Sequence, residues 1–155
     1  MPNSAATDTC IPHDAWILIC DGRKAMIAQN TGTPAKPSFS VSETLRAPFN
    51  PATHEQGSDR PGRTVQSVGN RRSAVEMTDL HEHEERAFLA GATRKFAEIA
   101  LQEHAKALVL VAPPRALAVL REHLGSAATD LVVVEIAKDL TKHPMAEIER
   151  LLMQT

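Results

Sequence analysis

Short, wholly apolar runs alternate with polar stretches along most of this chain, and two periodicities sort them into strands and helices. Trp16-Ile-Leu-Ile-Cys20 is a continuous apolar run closed by Asp21-Gly22. A run of that length, bounded by turn residues, reads as a strand buried on both faces. Ala25-Met-Ile-Ala28 is a second run, and the Asp-Gly between the two is a hairpin signal. Asn30-Thr-Gly-Thr-Pro34 breaks it, with Asn and Gly supplying turn conformations and Pro a fixed φ. Phe39-Ser-Val-Ser-Glu-Thr-Leu45 then alternates apolar and polar residues at period two, the pattern of a half-exposed strand. Three strands on short turns predict an antiparallel meander.

The pattern lapses over 46–79. Pro48, Pro51, Gly57, Pro61, Gly62 and Gly69 punctuate this stretch and no apolar face recurs, so a long loop is expected. Thr78-Asp79 reads as its end, with Glu82 three residues beyond Asp79 in the capping-box arrangement. A helix is predicted over roughly 80–104, with Phe88, Ala92, Phe96, Ile99 and Ala100 on one stripe and Glu82, Glu84 and Glu85 in its first turns. Ala107-Leu-Val-Leu-Val-Ala112 is a further buried strand, ended by Pro113-Pro114. A helix over 114–124 carries Leu117, Leu120 and Leu124, with Gly125 as its stop. Leu131-Val-Val-Val-Glu-Ile136 is the fifth strand, and Pro144 opens a last helix with Met145, Ile148, Leu151 and Leu152 on its apolar face.

Helical crossovers imply parallel, right-handed strand connections. The simplest sheet has order 3-2-1-4-5 with only strand 2 antiparallel and helices on both faces. This is an α/β fold of ribonuclease H-like arrangement. Residues 1–11 are polar and small and are expected to be a disordered tail. Residues 12–155 then form a single α/β domain.

Composition adds limits. The chain has 155 residues, a 43% hydrophobic fraction, 3% aromatics and a formal net charge of −2. The core must be aliphatic, and any polyanion must be met by a local basic patch. Cys10 and Cys20 are too few for a disulfide framework, and Cys20 reads as a small buried hydrophobe. The first residues hold no basic or apolar leader pattern, and no apolar run is long enough to span a bilayer, so a cytoplasmic protein without membrane contact is expected.

Three constellations could carry chemistry. Asp21 ends the first strand, where ribonuclease H-type nucleases place a metal-binding Asp, and Glu82 or Glu85 could join it. Two-metal hydrolysis needs several converging carboxylates, and the end of the fourth strand, Ala112-Pro113-Pro114, supplies none. Asp21 is read first as a turn residue, and no metal is expected. His81-Glu-His83-Glu-Glu85 has i, i+2 histidines, which leave a helix on different sides, although His81 with Glu85 could chelate. No Gly-x-Ser-x-Gly elbow, phosphate loop, dinucleotide fingerprint or Cys-x-x-Cys pair is present, so no cofactor is expected.

The third constellation is 56–72, with Arg60, Arg63, Arg71 and Arg72 against one acid, Asp59. Guanidinium forks suit phosphate, glycines admit close backbone approach, and Gln66, Ser67 and Asn70 add neutral donors and acceptors. The alternative is a solvated loop whose arginines pair with the acidic helix start.

Several motifs then resemble one bacterial family. They are Ile11-Pro-His-Asp-Ala-Trp16, Cys20-Asp-Gly22, Glu55-Gln-Gly-Ser-Asp-Arg-Pro-Gly-Arg63, Arg71-Arg-Ser-Ala-Val-Glu76, Leu110-Val-Ala-Pro-Pro-Arg115 and Lys138-Asp-Leu-Thr-Lys-His-Pro144. In order, over about 11–152, they resemble the family named "protein required for attachment to host cells", a name that describes a phenotype. That family is similar to the central domain of archaeal and eukaryotic class I peptide release factors, in which a Gly-Gly-Gln loop enters the ribosome. The matching stretch here, Gly62-Arg-Thr-Val-Gln-Ser67, keeps Gln66 but has Thr64 and Val65 in place of the glycines. β-Branched Val65 is ill suited to glycine conformations. The resemblance therefore implies recognition of ribosomal or transfer RNA through Arg60, Arg63, Gln66, Asn70, Arg71 and Arg72. A hydrolase using Asp21 with Glu82 or Glu85, or Gln66, and an indirect part in attachment are its alternatives.

Overall fold

The structure, a computed structural model, describes residues 10–48 and 70–153, with side chains from 77 onward in the second segment. Among the described residues, five strands and four helices follow in order: β1 Trp16–Cys20, β2 Lys24–Asn30, β3 Phe39–Arg46, α1 Asn70–Gln102, β4 Leu108–Val111, α2 Pro114–His123, a short α3 Ser126–Thr129, β5 Val132–Ile136 and α4 Met145–Met153.

The strands form one sheet of order β3-β2-β1-β4-β5. β2 runs antiparallel to both neighbours, with Cys20 opposite Ala25 and Trp16 opposite Gln29. β1 and β4 pair in parallel from Trp16↔Leu108 to Ile19↔Val111, and β4 and β5 are also parallel. The mixed α/β sheet expected from the pattern is the one observed.

Both faces are covered, which explains why β1 and β4 are continuous apolar runs. Leu18, Cys20, Ile27, Leu108 and Leu110 face Leu89, Ala92, Phe96 and Ala100 of α1 and Leu117 and Leu120 of α2. Ile17, Ile19, Ala28, Val109 and Val111 face Ile148 and Leu152 of α4. β3, at an edge, buries Phe39 and alternates toward solvent. Ile11, assigned by composition to the tail, is 1% exposed and belongs to the second of these clusters.

α1 departs from expectation. It has 33 residues and begins at Asn70, not near 80, so the loop predicted over 46–79 ends earlier. Thr78 and Asp79 lie inside the helix rather than at its start, and Glu82, Glu84 and Glu85 sit in its interior rather than its first turns. Glu85 marks where α1 passes the end of β1, because a Cβ on Gly22 would lie 2.8 Å from its Cδ. Between Asn70 and Glu85 the helix axis advances about 22 Å. The apolar stripe begins only where the helix reaches the sheet, at Phe88 and Leu89.

Two smaller points concern glycine. Gly125 has φ 89° between α2 and α3, as the stop signal requires. Gly22 does not need a positive φ, and its small size instead admits Glu85.

Candidate functional site

The carboxyl end of β1 holds the first candidate. Asp21 follows Cys20, and its Oδ1 accepts the backbone N–H groups of Arg23 and Lys24, each at 2.8 Å. Its own N–H donates to the Lys24 carbonyl at 2.9 Å. These bonds close the β1–β2 turn. Oδ2 accepts the Thr141 hydroxyl at 2.9 Å, from a residue that is 3% exposed and lies beyond β5. The same hydroxyl oxygen lies 2.9 Å from Asp139 Oδ1, which also accepts the Thr141 N–H at 3.2 Å. One hydroxyl proton serves two carboxylates in turn. Lys24 Nζ donates to the Thr141 carbonyl at 3.4 Å.

Both Asp21 oxygens are therefore occupied by bonds that hold the chain together. Pattern reading missed Asp139 and Thr141. Their only trace was the Lys138-Asp-Leu-Thr-Lys-His-Pro144 motif, quoted for the family resemblance and not for chemistry. Beneath them lies Cys20, a free thiol whose pKa is pushed up to about 12, first by burial and then by the negative charges of Asp21 and Asp139. It is an inert hydrophobe, as expected, and not a nucleophile.

The acids proposed as partners of Asp21 are engaged differently. Glu82 Oε2 lies 3.7 Å from the Arg115 guanidinium, while Glu85 packs on Gly22. His81 faces Glu84 at 4.0 Å. Among the described residues no group of three or more His, Cys, Asp or Glu is placed to hold a metal ion.

The basic segment divides. Arg60, Arg63 and Gln66 lie outside the described residues. Asn70, Arg71 and Arg72, expected in a loop, form the first turn of α1. A helix start presents unpaired backbone N–H groups and the positive end of the macrodipole, which adds to the arginine charge.

The family described as "Protein required for attachment to host cells" matches residues 16–152. The chain belongs to that family. The match runs from the first residue of β1 to the penultimate residue of α4, so it spans the sheet, the described helices and the basic segment. A search of curated proteins finds no match. Among the described residues of this host-attachment protein, no helix is long and apolar enough to cross a membrane.

Proposed function

We propose that this host-attachment family protein is a non-enzymatic cytoplasmic module that binds ribosomal or transfer RNA through residues 56–72. One observation carries the reading: α1 starts at Asn70, about 22 Å along its axis from the residue that packs over the sheet edge, with Arg71 and Arg72 in its first turn. Four arginines against one acid thus lead into, and occupy, the positive end of a long helix. A polyphosphate chain is the ligand for which that charge and those backbone donors are suited. The likeness to release factors, whose RNA-facing loop precedes a long helix, favours RNA among polyanions. The changes at Thr64 and Val65 favour binding over hydrolysis. On this reading the attachment phenotype follows indirectly.

Ribosome co-sedimentation and fluorescence anisotropy with a labelled transfer RNA test this directly. Binding is expected to weaken steeply with salt and to be lost in an Arg63→Ala/Arg71→Ala variant. Equal binding by wild type and variant, or by neither, removes the reading. A nuclease assay with Mg²⁺ or Mn²⁺ on wild type and Asp21→Asn gives no metal-dependent difference if the module is non-enzymatic.

A further inference from the structure

Two neighbouring strands carry like charges in register. Lys24 opens β2, Arg46 closes β3, and the two are direct cross-strand partners. Side chains directly opposite in an antiparallel pair share a face, with Cβ atoms about 5 Å apart, and like charges placed so repel each other. A cationic residue on an edge strand is an ordinary guard against edge-to-edge pairing, which accounts for Arg46 on β3. Lys24 lies on β2, an interior strand, where no such guard is needed.

The shared face is the one that α4 covers, since Met26, two residues beyond Lys24, belongs to the cluster packed on that helix. Lys24 Nζ reaches the Thr141 carbonyl at 3.4 Å, and the residue bonded to that carbonyl is Lys142, which is exposed. Arg23, also exposed, precedes Lys24 in the β1–β2 turn. Its carbonyl accepts the Ala47 N–H at 2.8 Å, which ties the turn to the end of β3. Cations from three separate stretches of the chain thus meet at this end of the sheet.

Their charge is not taken up by neighbours. Arg86, Lys95, Arg115, Arg121 and Arg150 each have a carboxylate within 3.9 Å. Arg23, Lys24, Arg46 and Lys142 have none among the described residues. The acids at this end, Asp21 and Asp139, accept the turn amides and the Thr141 group and form no ion pair with a described lysine or arginine.

We propose that this face is a second phosphate-contact surface for RNA, a step that rests on the RNA reading above. A phosphodiester backbone is met by exposed positive charge, so the exposure of these side chains is what such a partner requires. The same end of the sheet is where Glu85 of α1 packs on Gly22, one residue before Arg23, and the arginine-bearing start of α1 lies about 22 Å beyond that contact. One strand of RNA laid across this end meets both. The two surfaces act through charge and position the backbone rather than read bases.

The full-length protein is titrated into fluorescein-labelled transfer RNA between about 50 and 200 mM salt. In Lys24→Ala/Arg46→Ala/Lys142→Ala the slope of log K against log salt is expected to become shallower by about 2, with binding about tenfold weaker at the lower salt. Arg46 makes no side-chain hydrogen bond or ion pair with a described residue, so Arg46→Ala leaves the fold intact and is expected to reduce the slope by about 0.7. Lys24→Arg/Arg46→Lys/Lys142→Arg keeps the charge and is expected to keep the slope. The Arg63→Ala/Arg71→Ala variant is measured in parallel. Loss of binding there, with the slope unchanged in Arg46→Ala and in the triple alanine variant, overturns this surface and leaves the RNA reading standing. A reduced slope in those two, with Arg63→Ala/Arg71→Ala equal to wild type, supports this surface and removes the 56–72 segment. No binding by wild type overturns both. Phosphatidylglycerol vesicles bound as tightly as the transfer RNA overturn the assignment to RNA.

Discussion

The two ends of β1 treat their polar groups in opposite ways. At the carboxyl end, Asp21, Asp139 and Thr141 spend their capacity on one another and on the β1–β2 turn. At the amino end, Asp14 and His104 hold left-handed backbones, and both line a cavity of about 280 Å³ whose polar side chains are largely exposed. Ligands of open α/β sheets usually gather at the carboxyl ends of the strands. In this protein the described part of the β1 carboxyl end is closed by its own hydrogen bonds, and the cavity lies at the amino end. A closed polar cluster works as a clasp.

The largest expected effect breaks the wall of the amino end. Asn30→Ala removes four hydrogen bonds at once and leaves two carbonyls and two N–H groups without their partner. The expected loss is about 3–4 kcal/mol in a urea unfolding titration. A loss below about 1 kcal/mol shows that this wall is held by something other than Asn30.

The next tests the clasp. Asp21→Asn keeps an oxygen for the turn amides but offers the Thr141 hydroxyl an NH₂ group in place of an acceptor. A loss of about 2 kcal/mol is expected. In a double-mutant cycle with Thr141→Val, a coupling energy of about 1 kcal/mol is expected between residues 120 positions apart. Independent, additive losses identify Asp21 as a turn residue alone.

This contrast also marks how much the sequence disclosed. Strand order and direction were legible because burial on two faces writes continuous apolar runs such as Trp16–Cys20 and Leu108–Val111. The start of α1 was not legible, because periodicity records burial rather than helicity. Asn70 to Glu84 precede the sheet edge, and a helix without a face to bury writes no stripe. Thr78-Asp79, both weak helix formers, then imitated a cap. The clasp was half visible: Asp21 announced a turn, but its partner at Thr141 lies 120 residues away and no local pattern joins them. The cavity was invisible for the same reason, since 12–16, Gln29 and 103–107 meet only in the folded chain. His104 gave no sign of its left-handed backbone, because a sequence reader looks for glycine there.

Cys20 sharpens the comparison through pH. Folding raises its thiol from the ordinary 9.0 to about 12, chiefly by burial. Below pH 9 the thiol is protonated in both states, and its full contribution to stability is present. Between about 9 and 12 the unfolded chain gives up a proton that the folded chain retains, so stability falls as pH rises, by about 1.4 kcal/mol per unit. Urea midpoints measured from pH 8 upward are expected to show this slope in wild type and to lose that increment in Cys20→Ala. Equal slopes in the two proteins place the thiol in contact with water and open the clasp end after all. Below pH 9, thiol reagents are expected to modify Cys10, which is exposed, and to reach Cys20 only on unfolding.

The smallest effect isolates the strain at the amino end. His104→Gly changes both the side chain and the conformational cost, whereas His104→Ala removes the imidazole and keeps a Cβ at φ 55°. The difference in stability between the two variants measures the left-handed backbone alone, and about 1 kcal/mol in favour of glycine is expected. Leu101 and Ala100 still accept the closing bonds of α1 in both, so the helix end is unchanged as a reference. If glycine and alanine are equally stable, residue 104 bears no conformational cost. If glycine alone is more stable than wild type, the cost of the left-handed backbone exceeds whatever the imidazole contributes to stability.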